Sequence, residues 1–266
     1  MNVFRRELRA NRRSLIFWCL GMALIILTAM GKYAGMAAAG EQSISDFIKM
    51  MPASVQAVMG MSGLDLSDAR SFFVVIYMYV ALMAAIHASM LGAVIIAKEE
   101  RDRTSEFLFV KPMTRAGIVT SKLLAAVTNA AVLNLVTFAV SFAVMGQLAK
   151  GQPFAAGLAR MMLGLFLLQL LFLSVGSASA AIIGRPRAST GVAAGIMLFT
   201  FLLSSAIDIN SDWDVLKFLT PFKYFPARDM MLDGGFTVFY VALAVGVAAV
   251  LTVAAYYFFK RRDLRV

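Results

Sequence analysis

Apolar residues along most of this chain do not alternate with polar ones; they run together. Six stretches, 15–33, 72–97, 123–148, 154–183, 190–207 and 236–259, are almost purely apolar. Each is near or above the roughly 17–25 residues that carry a helix across a hydrocarbon core of about 30 Å. Lipid offers the backbone no hydrogen-bonding partner, so each run is predicted to close its own bonds as a helix. The fold class that follows is an all-α membrane protein, a six-transmembrane-helix bundle. No intervening stretch is long enough for a separate soluble domain, so residues 1–266 are read as one.

The segments between the runs carry their own patterns. In 1–14, Val3, Phe4 and Leu8 share one helical side while Arg5, Arg9, Arg12 and Arg13 lie mostly elsewhere. That suits an interfacial helix on anionic headgroups, or plain basic anchoring of the first span. In 34–71, Ile44, Phe47, Ile48, Met51, Val55, Val58 and Met59 recur at helical spacing around Pro52. Two short amphipathic helices bent at the proline are predicted, capping the mouth of a pathway or resting on the bilayer. The segment 208–235 holds Trp213, Phe218, Pro221, Phe222, Tyr224, Phe225 and Pro226. It is too broken to span and is read as short interfacial or partly re-entrant helices. Small residues over 174–181 and the Gly191/Gly195 pair signal close helix packing.

Composition agrees with the pattern. Hydrophobic residues make up 61% and charged residues 15% of the chain, and the mean hydropathy is +0.79, far from the balance of soluble domains. The net charge of +10 raises the question of nucleic acid, and its distribution answers it. With both termini placed inside, about two thirds of the 25 Lys and Arg fall in 1–14, 98–122, at Arg185 and Arg187, and after Phe259. Insertion orientation explains that excess, so no nucleic-acid partner is invoked and the bilayer is the partner expected. The basic start followed by an apolar stretch resembles a signal peptide, but the stretch is long for one and five more spans follow. Cys19, the single cysteine, lies in the first span and is expected to pack as a small apolar residue.

The most informative stretch is 98–127, KEERDRTSEFLFVKPMTRAGIVTSKLLAAV, of which 98–122 forms the cytoplasmic loop. Asp102 or Thr104 can cap a short helix, Glu106 suits its first turn, and Pro112 ends it. Thr114 can cap the next helix. Phe107, Leu108, Phe109 and Val110 then stand between charged flanks, as apolar knobs for a groove on another protein or as a surface helix on headgroups.

This stretch resembles the loop of type-2 ATP-binding-cassette exporter permeases, with Thr104, Glu106, Leu108, Pro112, Arg115 and Lys122 in the family's order, although Arg103 stands where the family often has Gly. The external segments MPASVQAVMGMSGLDLS and LTPFKYF continue the likeness. The resemblance implies an exporter permease subunit of the plasma (inner) membrane, with Thr104, Glu106, Phe107, Leu108, Phe109, Pro112 and Arg115 forming a coupling helix on a separate ATP-binding-cassette ATPase subunit. It implies two permeases, as a homodimer or with a related paralogue, and two ATPases. No G-x-x-x-x-G-K-[ST] phosphate loop occurs in this chain, so no cofactor is expected here, and ATP and Mg belong to the partner subunit.

Polar groups inside the runs are few. His87, Asn129, Asn134 and Gln169 are the candidates for a pathway, His87 as an intramembrane ionisable group. His87, Asn129 and Asn134 have a second reading, as groups satisfied between neighbouring helices. One histidine and one cysteine cannot build a zinc site or a Cys–His pair, so no catalytic or metal role is expected. The rival readings are an ATP-independent secondary transporter, for which the span cores lack carboxylates, a membrane scaffold, and, further off, an intramembrane enzyme.

Overall fold

A computed structural model describes residues 3–38, 50–52, 55–56, 61, 64–101 and 114–261. Six long helices appear in the order the apolar runs predict: α1 (Val3–Ala38), α2 (Ala69–Arg101), α3 (Arg115–Leu148), α4 (Ala155–Ile183), α5 (Pro186–Ile209) and α6 (Val238–Arg261). All six are long and apolar enough to cross a membrane, and no strand occurs among the described residues. The chain is an all-α, multi-pass membrane protein.

Local chemistry sets the helix ends. Thr114 caps α3 as expected, its hydroxyl accepting the Gly117 N–H at 3.1 Å. Gly184 ends α4 in the left-handed region at φ 69°, and Pro186 opens α5 in the first turn, where its missing N–H costs nothing. Asp68 precedes α2 and accepts the Arg70 N–H at 3.0 Å while pairing with the Arg70 guanidinium at 2.8 Å.

The helices alternate in direction, so α2, α4 and α6 run parallel. Their centre is the contact of α2 with α4. A Cβ placed on Gly92 would lie 2.2 Å from the Leu173 carbonyl oxygen, and one on Gly176 would lie 2.1 Å from that of Ser89. The two backbones therefore touch through glycine, flanked by buried Ala85, Ala88, Ala93 and Ala180. The small-residue run in 174–181 is this contact. Around it, α4 also packs on α3, α5 and α6, while α1 lies on α2 and α3. The Gly191/Gly195 pair behaves differently. Both residues are exposed, with nothing within 4 Å of an added Cβ, so no described helix packs on them.

The first helix departs from expectation. Residues 3–14 are not set apart as a surface helix; they continue without a break into the span, giving a helix of 36 residues, or about 54 Å at 1.5 Å per residue. Their apolar side faces protein. Val3 is buried on Ile118, and Phe4 and Leu8 pack against the main core.

At the opposite end of the bundle, the proline-centred part of 34–71 lies largely outside the described residues. Its described remainder is anchored: Met61 and Leu66 are buried, and the Tyr33 hydroxyl donates to the Ser67 carbonyl at 2.6 Å. The segment between α5 and α6 forms 3₁₀ turns at Ser211–Leu219 and Pro221–Lys223 and a π turn at Asp229–Asp233. It tucks inward. Thr220 is buried and donates to the Thr200 carbonyl at 2.8 Å, Phe222 lies between Phe172 and Phe201, and Arg160 holds the Met230 carbonyl at 2.8 Å. Burial, and then the neighbouring Tyr240, raise the Tyr224 phenol above its ordinary pKa; its hydroxyl donates to the Phe218 carbonyl.

Because the α2–α4 contact is between backbones, Gly92→Val or Gly176→Val is expected to destabilise the bundle by about 3 kcal/mol or more. Gly21→Ala, at a site with nothing within 4 Å, is expected to be neutral or stabilising by up to about 1 kcal/mol. Thermal unfolding in detergent separates the two classes.

Candidate functional site

The coupling residues inferred from the loop fall in two groups. Thr104, Glu106, Phe107, Leu108, Phe109 and Pro112 lie outside the described residues, while Arg115 opens α3. What the structure describes is the frame that holds both ends of that loop. The Arg115 guanidinium donates to the Lys260 carbonyl at 3.0 Å, placing a cation on the open C-terminal turn of α6. One turn deeper, the hydroxyls of Thr120 and Tyr256 lie 2.8 Å apart. Lys122 has no exposed surface and reaches across from α3 to donate to the Ile95 carbonyl of α2 at 2.5 Å.

A residue that sequence reasoning passed over completes the frame. Glu7 is fully buried. Its carboxylate takes Lys98 of α2 at 3.1 Å and its neighbour Arg6 at 3.1 Å. The one available signal was that Glu7 is the sole acid among the arginines of 1–14. A buried carboxylate needs cationic partners to offset its lost hydration, and Lys98 is the first residue of the loop. The ends of α1, α2, α3 and α6 are thereby joined.

The four pathway candidates are not brought together as a set. Asn134 on α3 donates to the Met162 carbonyl of α4 at 3.0 Å and stands 3.5 Å from the Gln169 Oε1. Gln169 is fully buried and its Nε2 has no hydrogen-bond partner. Asn129 turns back to its own helix, donating to the Ala125 carbonyl at 2.7 Å. His87 on α2 is buried with Nδ1 unpartnered, its ring edge-on to Trp18 of α1 at 5.2 Å between centroids. All four are buried.

Cavities lie elsewhere. One of 430 Å³ between α2 and α5 is lined by Met90, Val94, Ala97, Arg187, Thr190 and Ala194 among others. Another, of 220 Å³, lies near the far end of the same helix pair beside Ser204, Asp208, Lys223 and Arg228. Asp208 and Lys223 are themselves ion-paired. Among the described residues, no three His, Cys, Asp or Glu side chains gather as a metal site.

Comparison with known families gives the kind of membrane protein this spanning bundle is. The model of the ABC-2 family transporter protein matches residues 1–264. The chain belongs to that family. It is a permease subunit of an ABC transporter, from a family whose members are generally non-catalytic transmembrane components and which implies a partner ATPase. No curated protein matches it.

Two outcomes test this geometry. Lys98→Met is expected to destabilise the permease by about 1–3 kcal/mol, because Glu7 stays buried with Arg6 alone, and Glu7→Gln with Lys98→Met together should cost less than Lys98→Met alone. Asn134→Leu should cost about 0.5–1.5 kcal/mol through loss of the bond to Met162. His87→Leu should stay within about 0.5 kcal/mol of the parent, since Nδ1 has no bond to lose. Thermal melts of the purified variants read both.

Proposed function

We propose that this ABC-2 permease exports its substrate across the plasma (inner) membrane, driven by ATP hydrolysis on a separate nucleotide-binding subunit. Two copies of that ATPase, carrying the ATP and Mg, work with two permeases, here a homodimer. Both termini and the 98–122 loop face the cytoplasm, as the concentration of Lys and Arg at that end favours.

The observation that carries the reading is the cross-tied frame around the loop. Thr104, Glu106, Phe107, Leu108, Phe109 and Pro112 form the coupling helix, and Arg115 fastens its exit to α6 at Lys260. A displacement of that helix by the ATPase reaches α2 through Lys98, α1 through Glu7, and α3 through Lys122. Nucleotide closure then shifts the bundle between inward-facing and outward-facing states, provided the coupling helix binds the ATPase differently in each. The proposed role of Asn134 and Gln169 is to hold α3 against α4, while Asn129 is satisfied within α3 and His87 packs on Trp18.

The test is co-purification in mild detergent with a candidate ATP-binding-cassette ATPase subunit, with and without nucleotide. A stable complex is expected. Phe107→Asp or Glu106→Arg should leave the permease inserted but change the ATPase turnover of the complex by about tenfold or more, as for loss of a central interface anchor. Failure of the two chains to associate in any nucleotide state would return the protein to a secondary transporter or a scaffold.

A further inference from the structure

We propose that the groove between α3 and α6 at the basic end of the bundle is a binding site for an anionic phospholipid, its headgroup at Lys260 and Arg261 and an acyl chain against α4. The inference goes beyond the permease reading and does not depend on a partner ATPase.

The groove exists because α6 packs closely on α4 and only lightly on α3. Two cavities follow one another along the opening. The first, of 260 Å³ at the basic end, is lined by Arg115 and Val119 of α3 and by Val253, Tyr256, Tyr257 and Lys260 of α6, among others. Level with it, the Thr120 and Tyr256 hydroxyls tie the two helices at 2.8 Å. The second, of 300 Å³, begins at Leu123, one turn beyond Val119, and at Thr252, next to Val253. It continues to Val127 and Ala244, with Leu167, Leu170 and Leu173 lining it from α4, and Thr252 is its one polar residue. Its length suits one leaflet. From Arg115 to Val127 is about 18 Å along α3, and from Lys260 to Ala244 about 24 Å along α6, at 1.5 Å per residue. Half of a bilayer, headgroups included, is about 20–22 Å. The flanks are apolar and open: Leu124, Val245, Val253 and Tyr257 are exposed.

Charge at the mouth selects the headgroup. Lys260 and Arg261 are exposed there, and neither has an ion-pair partner among the described residues. Arg261 stands 4.3 Å over the ring of Tyr257, which keeps its charge beside the first cavity. The Lys260 carbonyl, at the negative end of α6, is covered by the Arg115 guanidinium at 3.0 Å. Among the described residues, no acid lines either cavity. Basic pockets between spanning helices attract anionic headgroups. A soluble anion would leave the second cavity uncovered, and a neutral lipid would leave the two cations unanswered. A second copy meeting this face through its own would set Lys260 and Arg261 of both chains together, and like charges would oppose its seating. A molecule with an anionic head and an apolar tail satisfies both cavities.

The experiment is native mass spectrometry of the full chain from micelles containing phosphatidylcholine and phosphatidylglycerol in equal amounts. Selective retention of phosphatidylglycerol is expected, and equal retention of the two lipids would overturn the proposal. Lys260→Gln with Arg261→Gln should weaken retention roughly 30-fold, each basic residue being good for about a fivefold effect. Ala248→Leu, which fills the second cavity and leaves the charge intact, should bring retention of phosphatidylglycerol down to that of phosphatidylcholine. Ala249→Phe, at an exposed position of the same wall, provides a second filling variant should the first fold poorly. Retention unchanged by filling would show attraction to the basic surface alone and sink the site. So would spontaneous cross-linking of Ala249→Cys between copies in native membranes, in a Cys19→Ser background, because a second permease would then occupy the groove.

Discussion

The contact of two peptide backbones at Gly92 and Gly176 is the constraint around which this permease is arranged. In lipid, burying an apolar side chain against another helix gains little, because the tails are as apolar as leucine; close packing and short polar contacts must do what water does for a soluble core. Glycine at both positions lets α2 and α4 approach until a single added methyl would overlap a carbonyl oxygen. The other helices then take their places around α4, and α1 rests on α2 and α3.

From that centre the two ends of the bundle are finished by different chemistry. The basic end is tied by charged and polar side chains that cross between helices: Glu7 to Lys98, Lys122 to Ile95, Arg115 to Lys260. A buried ion pair contributes little net stability but strongly opposes any arrangement that separates its partners. The opposite end is finished by aromatic rings and methionines, with Phe222 between Phe172 and Phe201 and Met230 and Met231 filling the space left by Gly164 and Gly157. These contacts stand beside hydrogen bonds such as Thr220 to Thr200 and Arg160 to Met230, and their burial keeps irregular backbone away from lipid.

The buried polar residues show why type alone is a poor guide to role. Asn134 and Gln169 meet across α3 and α4, whereas Asn129, five residues earlier on α3, satisfies itself on its own helix. His87, the only histidine, meets an indole. Two cavities lie on the α2–α5 face, one beside Arg187 and one beside Asp208, Lys223 and Arg228, and another lies between α3, α4 and α6.

The sequence by itself determined the six helices, the basic end, the Thr114 cap and the packing value of the small residues in 174–181, because each depends on local composition or on the bilayer's demand for unbroken hydrogen bonding. Its loop motif also pointed to the ABC-2 family that the whole-chain match established. Only the tertiary structure decided which small residues face each other: Gly92, unremarked in the sequence, meets Leu173, while the Gly191/Gly195 pair meets no helix of its own chain. It also decided that residues 3–14 continue α1 and bury Glu7. Pairing between helices distant in sequence depends on how their surfaces fit, and no pattern along one helix contains the shape of the other.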